Sequence, residues 1–162
     1  MRSFTYPTHV RRDRAGFYLV TFPDLPRCAT DGRSLEEAMA EAADALEEAV
    51  AHRMRAGLDI PPPSRPKKGQ RPVSLSAQMA AKAALYLAVR VAGVSNSELA
   101  RRLGVGEAEV RRMLDPRHNT RLPRLEAGLG VLGQRLIVKQ SSAGVGPRQR
   151  LKNTRQRIFP RG

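Results

Sequence analysis

The stretch SNSELARRLGVGEAEVRRML, Ser95–Leu114, reads as two short amphipathic helices with a glycine-bearing turn between them. Ala100 is small where two helices would have to cross closely, and Gly104, four residues later, is able to enter the turn. Leu99, Leu103, Val105, Val110 and Met113 form the apolar set that would hold the second helix in place. Ser95 and Glu98 make an S-x-x-E capping box, a signal for a helix start. These are the spacings of a helix-turn-helix, and Leu85, Leu87, Leu125 and Leu129 on either side can complete its core. A helical hairpin that merely fills a core is the alternative.

Charge favours a nucleic-acid role. Residues 73–138 carry ten basic and five acidic side chains, a net of +5, and phosphate neutralisation is the basis of DNA affinity. In such a motif the N-terminal part of the second helix faces the major groove. The positions expected to be exposed there are Glu107, Ala108, Glu109, Arg111 and Arg112. Arginine pairs bidentately with guanine and glutamate accepts from cytosine, so Arg111 and Arg112 are the leading base or phosphate contacts. Arg117, His118 and Arg121, just beyond the helix, are expected as phosphate anchors. For each arginine the competing reading is a solvated surface charge, and Glu107 has its own local reason to sit in a first helical turn.

The rest of the chain is organised differently. Thr5–Arg11 and Gly16–Phe22 are two extended runs around the turn RDRAG, hence a β-hairpin. Tyr18, Val20 and Phe22 alternate with Phe17, Leu19 and Thr21. A third short strand is expected from Cys28, ended by the Asp31-Gly32 turn signal. Ser34 and Glu37 form another capping box and start a long helix, with Leu35, Met39, Ala42, Leu46, Ala49, Val50 and Met54 as its apolar stripe. Gly57 and the prolines from Pro61 end it. PPPSRPKKGQRP reads as a stiff basic linker, and Val73–Leu75 as one more short strand of unassigned pairing. Ala77–Ala92 is expected as a helix with Ala80, Ala83, Ala84, Leu87 and Val91 inward, and a further helix covers about Pro123–Leu132. Gln134–Lys139 alternates as a terminal strand, and the tail after it has the composition of a disordered segment.

The expected partition is therefore 1–60, a β-β-β-α unit; 61–72, a basic proline-rich linker; 73–139, an all-α helix-turn-helix unit with a short terminal strand; and 140–162, a basic disordered tail. The fold class is α+β. Of the net charge of +14, the first 62 residues contribute −2, with eight basic and ten acidic side chains, and the remainder +16. Such asymmetry suggests two modules with different partners. Metal-dependent nuclease chemistry would need converging carboxylates. Asp13, Asp24 and Asp31 each lie in turn sequences that favour aspartate locally. His9 and His52 lack metal-ligand spacing, and Cys28 is expected as a buried small hydrophobe. The chain is thus expected to be no enzyme, to need no cofactor or metal, and to lack a membrane span and a signal peptide. With a single cysteine, a soluble cytoplasmic protein is the expectation.

The segment YPTHVRRDRAGFYLVTFPDLPRCATDGRSLEEAMAEAADAL resembles the N-terminal domain of HicB antitoxins. Phe22, Pro23, Asp24, Leu25, Pro26, Cys28, Thr30, Gly32, Ser34, Glu36, Glu37 and Ala38 match the family's pattern. Val94–Gly104 and LDPRHNT, Leu114–Thr120, resemble the helix-turn-helix of the same family, so the likeness covers about Tyr6–Val138. The resemblance implies a partial ribonuclease-H-like N-terminal domain that binds a small basic HicA-type toxin, an mRNA-cleaving ribonuclease. It implies a C-terminal domain that forms a homodimer or higher homo-oligomer and represses the operon by binding operator DNA. A helix-turn-helix regulator whose first module senses a small ligand, without a toxin, is the other reading. Two features depart from the family: the start of the recognition helix, Gly106-Glu107-Ala108-Glu109, and the long basic tail.

Overall fold

The computed structural model describes residues 2–139; the expected disordered tail, 140–162, lies outside the described residues. Strands β1 (Thr5–Arg12), β2 (Tyr18–Thr21) and β3 (Ala29–Gly32) are followed by helix α1 (Leu35–Arg55). Strand β4 (Arg71–Ser74) then leads into α2 (Ala77–Ala92), α3 (Asn96–Leu103), α4 (Glu107–Leu114) and α5 (Leu122–Gly130). The fold is mixed α+β: one four-stranded sheet of order β3-β2-β1-β4, antiparallel throughout, and a set of helices.

The alternation in β2 decides which side of the sheet is covered. Val20 and Phe22 are buried, Val10 pairs with Val20 and Tyr6 with Val73, and this face receives α1. On α1 the buried residues are Ala38, Ala42, Leu46, Val50, Ala51 and Met54. The small side chains of Ala38 and Ala42 let the helix lie close to β3. A Cβ on Gly32 would stand 2.5 Å from the Ala38 backbone nitrogen, so this contact needs glycine for space, not for its dihedral freedom. The Ser34 hydroxyl accepts from Glu37 N (3.1 Å), but the Glu37 carboxylate accepts from Arg33 N (2.8 Å), one residue before the cap.

The segment 61–72 does not behave as a spacer. Its last residues, Arg71 and Pro72, belong to β4, which pairs with β1 and enlarges the sheet. The Tyr6 hydroxyl donates to the Pro61 carbonyl (2.8 Å), and Asp24 Oδ2 accepts from the Ser64 amide (2.9 Å) and hydroxyl (3.1 Å). Main-chain pairing between segments distant in sequence has no local signature, which is why this stretch reads as a linker.

Helix α2 is shared. Met79, Ala83, Tyr86 and Leu87 complete the core beneath α1, while Ala81, Leu85 and Ala88 pack with Met113, Leu125 and Leu129. The Tyr86 hydroxyl donates to Leu58 O (2.7 Å) and Arg90 to Gly57 O (2.8 Å). Glu47 of α1 accepts from the amide of Ser76, the N-cap of α2 (3.0 Å). Two expectations fail here. Val91 points outward, 76% exposed, because the buried face of α2 is spent one turn earlier. Gln134–Lys139 forms no strand: Gln134 N donates to Leu129 O, Leu136 rests on the α2–α5 cluster, and no strand of the sheet pairs with the segment. Apolar alternation permits a strand but does not supply the neighbour it needs.

Candidate functional site

Helices α3 and α4 are joined by Gly104, Val105 and Gly106. Gly104 adopts the left-handed conformation (φ 65°, ψ 34°), and the chain turns on Val105 N donating to Ala100 O (3.0 Å). No atom would contact a Cβ at Gly104, so the dihedral alone selects glycine. Leu99, Ala100, Val110 and Met113 are buried, and Leu103 and Val105 half-buried. Leu99, Ala100 and Val110, with Leu103 and Val105 against them, pack the two helices together, while Met113 packs on α2 and α5. Ser95 Oγ accepts from Glu98 N (3.1 Å), but the Glu98 carboxylate turns outward to Arg101 and Arg102 (2.9 and 2.7 Å). That fork holds its carboxyl down at about 2.

Glu107, Ala108, Arg111, Arg112, Arg117, His118 and Arg121 are all exposed. They are not equivalent. Arg111 pairs with Glu107 one turn away (3.5 Å), and Glu107 also accepts from the Ser97 hydroxyl on α3. Glu109 is bound by Arg124 of α5 (2.6 Å). Among the described residues no carboxylate lies within ion-pair distance of Arg112, so its guanidinium is free for an external anion. Arg117 and His118 occupy a turn built by Asp115, whose side chain accepts from Arg117 N (2.9 Å) and whose carbonyl accepts from His118 N (3.2 Å). Arg121 is the N-cap position of α5.

Spacing did not point to the group that holds the end of α4 to the turn after it. Lys82 is 1% exposed. Its ammonium donates towards the carbonyls of Arg112 (3.3 Å), Met113 (3.2 Å) and Asp115 (2.7 Å) and the Thr120 hydroxyl (3.1 Å). The first two carbonyls belong to the last turn of α4, where no intrahelical donor exists. Thr120, also buried, passes its own proton to Arg112 O (3.1 Å), and Gln78 of α2 donates to the Thr120 carbonyl. Burial pushes the Lys82 pKa down, partly offset by the Asp115 charge. A lone lysine at an inward position between Met79 and Tyr86 was the available signal.

On the sheet side, α1 turns Glu36, Glu41, Asp44 and Glu48 to solvent. Beside it runs an open cleft of about 540 Å³, floored by Leu25, Cys28, Ala45 and Ala49 and rimmed by Arg27 and His52. Asp13 and Asp24 serve the backbone, Asp13 by accepting from Phe17 N (2.9 Å), and no group of three metal-ligating side chains converges among the described residues. Burial raises the Cys28 thiol pKa. No helix among the described residues is long and apolar enough to cross a membrane.

The family model described as the HicB-like antitoxin of bacterial toxin–antitoxin systems matches residues 5–84. Antitoxin HicB 2 of Photorhabdus laumondii is 36% identical over 135 residues, covering 83% of this chain and 95% of the relative. Antitoxin HicB of Pseudomonas fluorescens is 31% identical over 141 residues, covering 86% and 96%. Antitoxin HicB of Escherichia coli K12 is 30% identical over 131 residues, covering 81% and 95%.

Proposed function

The chain belongs to the HicB antitoxin family of bacterial toxin–antitoxin systems, and from that premise we propose that it performs two tasks on two surfaces. The sheet unit, read as a partial ribonuclease-H-like domain, binds and neutralises a small basic HicA-type toxin that cleaves mRNA. The α3–α4 pair, read as a helix-turn-helix, binds operator DNA and represses the operon. The observation that carries this reading is the extent of the similarity. It covers 81–86% of the chain, so the sheet unit and the helical unit are matched together.

Physical features support the division. The acidic outer face of α1 complements a basic partner and would steer its approach. On the other unit Arg112 is the freest cation of α4, and Arg111 can exchange its Glu107 partner for a phosphate or base. Ala108 is small enough to lie against a thymine methyl, and Glu107 can accept from cytosine. Arg117, His118 and Arg121 are assigned to phosphates. The chain acts as a homodimer or higher homo-oligomer, so half-sites should recur about 34 Å apart along the operator.

The test is co-expression with the product of the adjacent reading frame. The two should co-purify, and RNA cleavage by the partner should cease when the chain is added stoichiometrically. Separate elution with unprotected RNA would overturn the antitoxin assignment. The cleft of about 540 Å³ is in the range of small-ligand sites. It favours, as a second reading, a ligand-sensing regulator without a toxin; the same co-purification separates the two.

A further inference from the structure

We infer that Lys82 is the positioning residue of the DNA-reading surface: its buried ammonium fixes the end of α4 and the 115–120 turn so that Arg112, Arg117 and His118 present one phosphate- and base-contacting edge. This rests on the proposed DNA-binding role of α4.

The geometry separates Lys82 from an ordinary core residue. A buried ammonium normally has a carboxylate partner. Here every acceptor is a main-chain carbonyl or a hydroxyl, and all four lie on the segment from Arg112 to Thr120. A cation at a helix C-terminus is favoured by the helix dipole, so α4 itself supplies part of the missing counter-charge. The same four oxygens define where the chain leaves α4. Arg112 is the clearest case: its carbonyl accepts from both Lys82 and Thr120 while its side chain points to solvent. Holding the carbonyl fixes the Cα from which the guanidinium projects. His118 is held from the same node, with Nδ1 at 3.1 Å from Thr120 Oγ1. Lys82 is itself shielded from solvent, so it acts through these residues and touches no DNA. Because α2 also packs under α1, the residue that sets the reading edge stands on the helix shared by both units.

The test compares wild type, Lys82→Met and Thr120→Val in the full chain. Binding is measured to a duplex from the operon's own promoter and to a random duplex of equal length, over a series of salt concentrations. Lys82→Met keeps the unbranched stem, one atom shorter, and removes the charge; Thr120→Val replaces only the hydroxyl with a methyl. Lys82→Met should lose about tenfold or more in affinity for the promoter duplex. It should keep its affinity for the random duplex and the slope of log K against log salt. Thr120→Val should lose less, in the same direction, and carries the test alone if Lys82→Met does not fold. Wild-type preference for the promoter in both variants would overturn the inference. So would an equal loss on both duplexes, which marks general loss of structure. A salt slope reduced by about one would overturn it too, since that marks a direct phosphate contact. Failure of the wild type to prefer its promoter would instead overturn the DNA-binding reading, and the inference with it.

Discussion

The sheet unit and the helical unit fix their principal helices in opposite ways. On α1 the buried side chains are all apolar, and at Gly32 the sheet meets the helix backbone against backbone, at Ala38. Beside α4 the tight glycine contact is α5 backbone against side-chain ends: a Cβ on Gly128 would meet Met113 Cε at 2.9 Å and Leu85 Cδ1 at 3.0 Å. There the helix end is held by an ammonium ion. The first contact cannot yield without moving main chain. The second can yield by a rotamer, and the polar bonds of Lys82 add to the apolar packing of Val110 and Met113 in placing α4.

That contrast can be broken by substitution. Gly32→Ala should cost about 3 kcal/mol, at the upper end of overpacking penalties, because only backbone can move. Gly128→Ala should cost about 1 kcal/mol, since flexible side chains give way and alanine regains helix preference. Denaturant unfolding of the two variants checks both; equal costs would erase the distinction. Gly104→Ala should lose about 1 kcal/mol for its left-handed backbone alone, with no steric term. Its effect should fall on operator binding more than on toxin capture.

The polar half of the comparison has a pH signature. Lys82 is depressed below its ordinary 10.5, so at alkaline pH the unfolded chain binds more protons than the folded one. Stability therefore rises with pH between the folded pKa and 10.5. The penalty is complete below that window and relieved above it. Lys82→Met should lack this contribution, and the difference between the two pH–stability curves reads it. The smallest effect is expected at Glu98. Its fork with Arg101 and Arg102 contributes fully above the ordinary carboxylate value of 4.5, and the contribution is lost as pH falls through about 2. Glu98→Gln should flatten that acid limb only slightly, because the pair is exposed.

Much of the architecture was legible because it is local. The β2 alternation, the two serine caps and the Ala100–Gly104 spacing each state a local rule, and the chain obeys it. The misses share a different cause. The strand at Val73–Leu75 was legible but its pairing with β1, which draws in Arg71 and Pro72, was not, and Gln134–Lys139 had a strand's pattern without a strand's neighbour. Lys82 was not legible as a site residue because its partners are three carbonyls and a hydroxyl distant in sequence, which leave no mark there. The Arg111–Glu107 pair was readable from its spacing, and it makes Arg112 the better first target.

The proposed division gives one chain two separable surfaces. Arg112→Ala tests it most directly, assayed in the same preparation for operator affinity and for protection of RNA from the toxin. Operator binding should weaken by about 1–3 kcal/mol with RNA protection unchanged. Loss of both together, or of neither, would contradict it.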